Sequence, residues 1–223
     1  CGTSAGAINA LALACGADHF DDTVRHIAQI WRGFRAEQVY RADSLSVLRS
    51  GAHWLTLLSL GWTVARWRKA RPHALLNNEP LAELLKTLVQ LDRLPGLIAD
   101  GHLQALAVTA SSYTTGEHIT FYRSQESRPP WIRSQRRAVS TDITHGHLLA
   151  SSAIPFIFPA RLVPVDGQLH YLGDGSMRQT APIAPAIHLG AERILVVGAG
   201  RMHEPQAQLL SNVEPTYPSL AQI

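Results

Sequence analysis

The chain opens on Gly2-Thr3-Ser4-Ala5-Gly6 and runs on as AINALALAC. A serine between small residues, just ahead of an Ala/Leu-rich stretch, fits a demanding piece of local geometry. A strand turns sharply into a helix, and the serine side chain stands clear of both. Small residues at Gly2 and Gly6 keep the strand and the returning helix from clashing. The helix start leaves free N–H groups and a positive dipole end beside the serine, which favours a developing oxyanion. The N–H of Ala5 is one such donor. The pattern alone is weak, because a chance match somewhere in a chain of ordinary composition has a probability on the order of 0.1. The same residues also describe a plain turn into a buried helix.

The rest of the chain alternates between helical and strand patterns. Residues 5–14 read as a buried helix. Residues 21–33 place Val24, Ile27, Ile30 and Trp31 on one face, with Asp21 and Asp22 near the N-terminus and Gly33 near the end. Residues 79–91 form an amphipathic helix opened by Pro80. Residues 103–110 and 118–123 read as strands around a Thr115-Gly116 turn, and 127–137 as a loop. Residues 141–153 read as a helix. RLVPV and LHYLG flank Asp166-Gly167, a hairpin signal. A short helix at APAIHLG and a buried strand over 193–199 follow. With 223 residues, 46% of them hydrophobic, the chain is long enough for a single α/β domain with a sizeable core.

A second chemical candidate is Asp174, where the strand that opens HYLGDGSMRQTAPIAPAIHLGAERILVVG (170–198) ends. An Asp before Gly at a strand end is commonly a turn former. Taken together, GTSAG, ASSAIPFIFP (150–159) and Asp174-Gly175-Ser176 resemble the patatin-like phospholipase family in content and order. The resemblance runs from Cys1 to about Ile223 and is weakest over 34–75. Two positions depart from the family's pattern. Ser176 stands where the Asp motif usually carries Gly or Ala, and Thr180 stands where Asn is often found.

The resemblance implies a three-layer α/β/α sandwich with a mostly parallel central sheet. It implies a Ser–Asp dyad, with Ser4 as nucleophile and Asp174 as the base that takes its proton and later activates water. Burial would bring the carboxylate's basicity closer to that task. Gly2, Thr3, Ser4, Ala5 and Gly6 make the elbow, and Asp174, Gly175 and Ser176 the Asp motif. Apart from the Ala5 N–H, the oxyanion hole is implied to come from a Gly-rich loop upstream of the elbow. That loop, and the strand carrying Ser4, are expected to precede Cys1. The chain lacks an initiator Met and stops at PSLAQI, so 1–223 reads as one domain cut at both ends. It is therefore expected to be weakly active alone. No metal or organic cofactor is implied. The substrate would be a lipid or other acyl ester.

Rival chemistries remain open from the residues. An α/β-hydrolase orders its triad Ser, Asp, His, and His188 and His203 both follow Asp174. A non-catalytic lipid-binding protein that keeps the fold is the other alternative. His145 and His147 have the spacing of a metal pair but no further ligand beside them. Residues 44–75 stand out as a helical insert. Within it, HWLTLLSLGWTVARWRKAR (53–71) combines Trp54, Trp62 and Trp67 with Arg66, Arg68, Lys69 and Arg71. That is the composition of a membrane-interface segment, and also of a lid, an acyl-binding wall or a core helix with a solvated end. A net charge of +3 gives no reason to invoke nucleic acid. Cys1 and Cys15 make no disulfide framework, which favours a reducing compartment. The expected location is the cytoplasm or the inner membrane surface, with a removed signal peptide left open by the missing start.

Overall fold

In a computed structural model the described residues are 1–35, 38–39, 74, 76–179 and 182–198. The strands are β1 (Gly2–Thr3), β2 (Ala105–Ser112), β3 (His118–Ser124), β4 (Ile132–Arg133), β5 (Arg136–Ser140), β6 (Arg161–Val165) and β7 (Gln168–Asp174). The helices are α1 (Ala5–Cys15), α2 (Phe20–Gly33), α3 (Glu79–Leu88), α4 (Leu94–Ala99), α5 (His145–Ser151) and α6 (Ile183–His188). All of the helical insert expected over 44–75 except residue 74, the basic Trp-rich stretch 53–71, Thr180 and His203 lie outside the described residues.

The strands form one sheet in the order β4-β5-β3-β2-β7-β6, with β1 also against β2. Its polarity differs from the expectation of a mostly parallel sheet. Among the described residues only β1 with β2 and β3 with β5 run parallel, and the other four pairings are antiparallel. Three of these four have a local cause: tight turns close the β2–β3, β4–β5 and β6–β7 pairs, and a short turn can only return an antiparallel strand. The β6–β7 turn carries positive φ at both Asp166 (48°) and Gly167 (79°). Two such residues in a two-residue loop match the right-handed twist of the hairpin.

Alternation along the strands decides what each face buries. Leu106, Val108 and Ala110 of β2, Ile119 and Phe121 of β3, and Val139 of β5 join the main core with Leu11 of α1, Leu81 and Leu85 of α3 and Leu148 of α5. Ala107, Tyr122 and Ala138 point to the other face, where they pack with Leu189 and Trp131. The sheet is thus covered on both sides, in the α/β layering the sequence implied.

Three segments differ from the sequence reading. Residues 127–137, expected to be loop, contain β4 and the start of β5. The turn between them uses Gln135 at φ 55° rather than a glycine, and its strands carry arginines that mask the apolar alternation. The helix expected over 141–153 is confined to His145–Ser151. Residues 193–198, read as a buried strand, form none, and Leu195 and Val197 are each 89% exposed. Composition proposes a strand, but a ladder needs a partner, and no described strand lies beside this segment.

The start of α5 makes a titration prediction. The His147 Nδ1 accepts from the Thr144 N–H at 3.0 Å, closing a capping box, and its ring packs on Phe121 at 4.3 Å. Burial pushes its pKa down to about 4 from 6.5. Between those values the unfolded chain takes up a proton that the folded chain refuses. The stability contribution is complete above pH 6.5 and falls as the pH drops towards about 4. Gln at the same place keeps the box and does not titrate. His147→Gln should therefore lose less stability across that window, by up to about 3 kcal/mol. His118, also lowered to about 4, chiefly by burial, keeps part of the slope. Urea unfolding at several pH values measures it, and identical slopes in both proteins would contradict the assignment.

Candidate active site

The edge of β2 brings the two candidate residues together. Its middle residues pair with β1, Gly2 opposite Val108 and Thr3 opposite Thr109. Its next residues pair with β7, Ala110 opposite Asp174 and Ser111 opposite Gly173. The two strands therefore meet end to end on one side of β2. β1 runs parallel to β2 and β7 antiparallel, so their C-terminal ends face each other. Ser4 leaves one end and Asp174 closes the other. The two residues are 170 positions apart in the chain, yet Ser4 Oγ donates a hydrogen bond to Asp174 Oδ2 at 2.7 Å.

Ser4 is a strained hinge. Its φ of 53° and ψ of −130° lie in territory that glycine favours, at a cost on the order of 1–3 kcal/mol. The surroundings fix it there. Its carbonyl accepts from Ala7 N at 2.9 Å and Ile8 N at 3.4 Å, and its N–H donates to Ser151 Oγ at 2.9 Å. A Cβ on Gly2 would lie 2.2 Å from the Gly6 carbonyl oxygen, so strand and helix approach too closely for any side chain. Gly6 is different. A Cβ there meets nothing within 4 Å, which corrects the expectation that both glycines relieve a clash. The Ala5 N–H makes no hydrogen bond among the described residues, and Ala5 is exposed at the start of α1.

Asp174 is 2% exposed. Its Oδ1 accepts from Ser176 N at 2.7 Å, which leaves Oδ2 turned to Ser4. Its own N–H donates to the Ala153 carbonyl at 2.9 Å. A Cβ on Gly175 would sit 2.4 Å from the Thr109 carbonyl oxygen and 2.5 Å from Thr3 Oγ1. The Asp motif needs glycine there because the chain crosses the junction of β1 and β2 in contact with backbone. Tyr113 lies over the preceding residue: a Cβ on Gly173 would be 2.0 Å from its hydroxyl. Burial first, then the charge of Asp174, raise the Tyr113 pKa.

His188, His145 and His147 take other roles. His188 stacks on Trp131 at 4.6 Å, and no imidazole stands between Ser4 and Asp174 in their direct bond. His145 Nε2 faces the Val89 carbonyl at 3.1 Å while His147 caps α5, so the two rings are committed to different partners. Among the described residues, no three or more His, Cys, Asp or Glu side chains are arranged to hold a metal, and no helix is long and apolar enough to cross a membrane. Cys15 is a buried thiol, pushed up to about 11 chiefly by burial.

Two features around the site carried no role in the sequence reading. Residues 151–153 touch both Ser4 and Asp174, whereas in the sequence ASSA carried the family resemblance and no role at the site. A groove of about 390 Å³ also runs between α1, α2 and α3, lined by Ile8, Ala12, Ile27, Trp31, Leu84 and Leu88 among others. Ile8 and Ala12 follow Ser4 at helical spacing and share its side of α1, but neither Ser4 nor Asp174 lines the groove.

No curated protein and no solved structure matches the chain. The family model of the patatin-like phospholipases matches residues 1–187. That span holds the elbow, the ASSA segment and Asp174, and it covers most of the sequence. The chain therefore belongs to the patatin-like phospholipase family.

Proposed function

We propose that this protein is a serine acyl hydrolase that cleaves acyl esters of lipids by a Ser4–Asp174 dyad. The observation that carries the reading is the direct 2.7 Å hydrogen bond from Ser4 Oγ to Asp174 Oδ2. Ser4 Oγ attacks the ester carbonyl carbon and its proton passes to Asp174. The tetrahedral intermediate collapses and the alcohol leaves with that proton, which makes an acyl-Ser4 ester. Water then attacks the acyl carbon and gives a proton to Asp174. Collapse expels Ser4, which takes the proton back, and the fatty acid departs. The Ser176 N–H holds the carboxylate in register throughout. The developing oxyanion meets the Ala5 N–H and the positive end of α1.

The surroundings support a lipid substrate. Ile154 and Phe156 follow the ASSA segment and Met177 follows Asp174, and they are 40%, 67% and 62% exposed. Exposed apolar side chains so close in sequence to the segments that hold the dyad suit a substrate that is itself apolar. The test is fatty-acid release from phosphatidylcholine and phosphatidylglycerol vesicles and from a monoacylglycerol. Release from at least one of them is expected. Release from none, by protein shown to be folded, would contradict the reading.

The 53–71 segment is proposed to hold the protein at an anionic membrane surface. Tryptophans at headgroup level and each nearby Lys or Arg contribute, the latter about 1 kcal/mol apiece. Changing Arg66, Arg68, Lys69 and Arg71 to Gln should weaken co-sedimentation with phosphatidylglycerol vesicles at low salt and remove its salt dependence. Equal binding of both proteins at low and high salt would show the segment plays no such part.

A further inference from the structure

We propose that Ser151 is a positioning residue, and that the segment 151–153 sets the separation of Ser4 and Asp174. This rests on the dyad reading above. Ser151 ends α5 and is fully buried. Its hydroxyl is used in both directions: Oγ accepts from the Ser4 N–H at 2.9 Å and donates to the Thr109 carbonyl at 2.7 Å. Thr109 is the residue opposite Thr3 in the β1–β2 pairing. One hydroxyl thus ties the nucleophile's own peptide to the strand on which β7 delivers Asp174. Two residues on, the Ala153 carbonyl accepts the Asp174 N–H at 2.9 Å. A three-residue stretch therefore holds both reacting groups by their backbones.

Ser4 needs such a hold because its positive φ is unfavourable for a residue with a Cβ. The Ser4 N–H lies too early in α1 to find a helical acceptor. If the Ser151 hydroxyl is removed, that N–H and the Thr109 carbonyl both lose their partner. The turn is then free to relax, and Oγ swings away from Asp174. The residue acts through Ser4, and it touches no reacting atom.

The test compares Ser151→Ala and Ser151→Thr with the parent. It measures kcat and KM on a p-nitrophenyl ester, the rate of labelling by a fluorophosphonate, thermal unfolding, and hydrogen exchange of the peptide containing Ser4. For Ser151→Ala, kcat and labelling rate should fall together by about 10²-fold, the scale of a 1 Å misplacement. KM should change little, and exchange near Ser4 should quicken. Ser151→Thr keeps the hydroxyl and should recover at least about tenfold of the loss. A Ser151→Ala protein with kcat within about twofold of the parent would overturn the proposal. So would a loss carried by KM, or one accounted for by a fall in folded fraction. If the parent itself neither turns over nor labels, the dyad reading fails. Exchange near Ser4 then still decides the clamp: unchanged exchange in Ser151→Ala overturns it.

Discussion

Ser4→Ala and Asp174→Asn should each lower ester hydrolysis by at least about 10³-fold, and the double variant should be little worse than either. The non-additivity follows from geometry. The two groups meet through one 2.7 Å hydrogen bond and take part in the same proton transfer, so losing either ends that transfer. Asp174→Asn is the sharper test. The amide keeps the shape, and its oxygen can still accept from the Ser176 N–H, but it cannot take the serine proton at neutral pH. His188→Ala should stay within about twofold of the parent, because that ring is stacked on Trp131. Asp174→Asn at near-parental turnover would end the dyad account. A loss of several orders of magnitude in His188→Ala would favour a Ser-Asp-His triad instead.

The glycines of the elbow should separate cleanly in stability. Gly2→Ala puts a methyl group 2.2 Å from the Gly6 carbonyl oxygen and 2.6 Å from the Ala7 Cα. These are backbone atoms of the helix that carries Leu11 into the core, so neither can step aside without moving that helix. A cost of about 3 kcal/mol is expected, lowering the unfolding temperature by roughly 6–12 °C for a domain of this size. Gly6→Ala adds its methyl group to open space within α1 and should raise stability by up to about 1 kcal/mol, through helix propensity alone. Gly175→Ala should behave like Gly2→Ala, since its methyl group would meet the Thr109 carbonyl. Thermal melts of the three variants check this. Equal effects at Gly2 and Gly6 would contradict the close approach of strand and helix at Gly2.

What the residues made legible was local. GTSAG called for a strand-to-helix turn with an exposed serine, and the structure has that turn with φ 53° at Ser4. Asp166-Gly167 called for a hairpin, and both residues sit at positive φ. Asp174 was found at a strand end before glycine, as the motif suggested. What depends on partners was hidden. RILVVG has the composition of a buried strand, yet pairing is decided by neighbours, and none of those described lies beside it. RRAVS is a true strand with little apolar pattern, because its arginines reach solvent while Ala138 and Val139 are buried. Gly2 and Gly6 look alike in the motif. Only the closeness of the Gly6 carbonyl to one of them tells their roles apart. Ser151 lay in a run of small residues whose meaning appears only when Ser4 and Thr109 are seen on either side of it.

The most direct test of the central claim is to treat the folded protein with a fluorophosphonate and locate the adduct by peptide mass spectrometry. The account predicts a single adduct on the Ser4 hydroxyl, absent in Ser4→Ala and formed at least about 10²-fold more slowly in Asp174→Asn. A folded protein that takes up no label, or one labelled on another residue while Ser4 stays free, would contradict it.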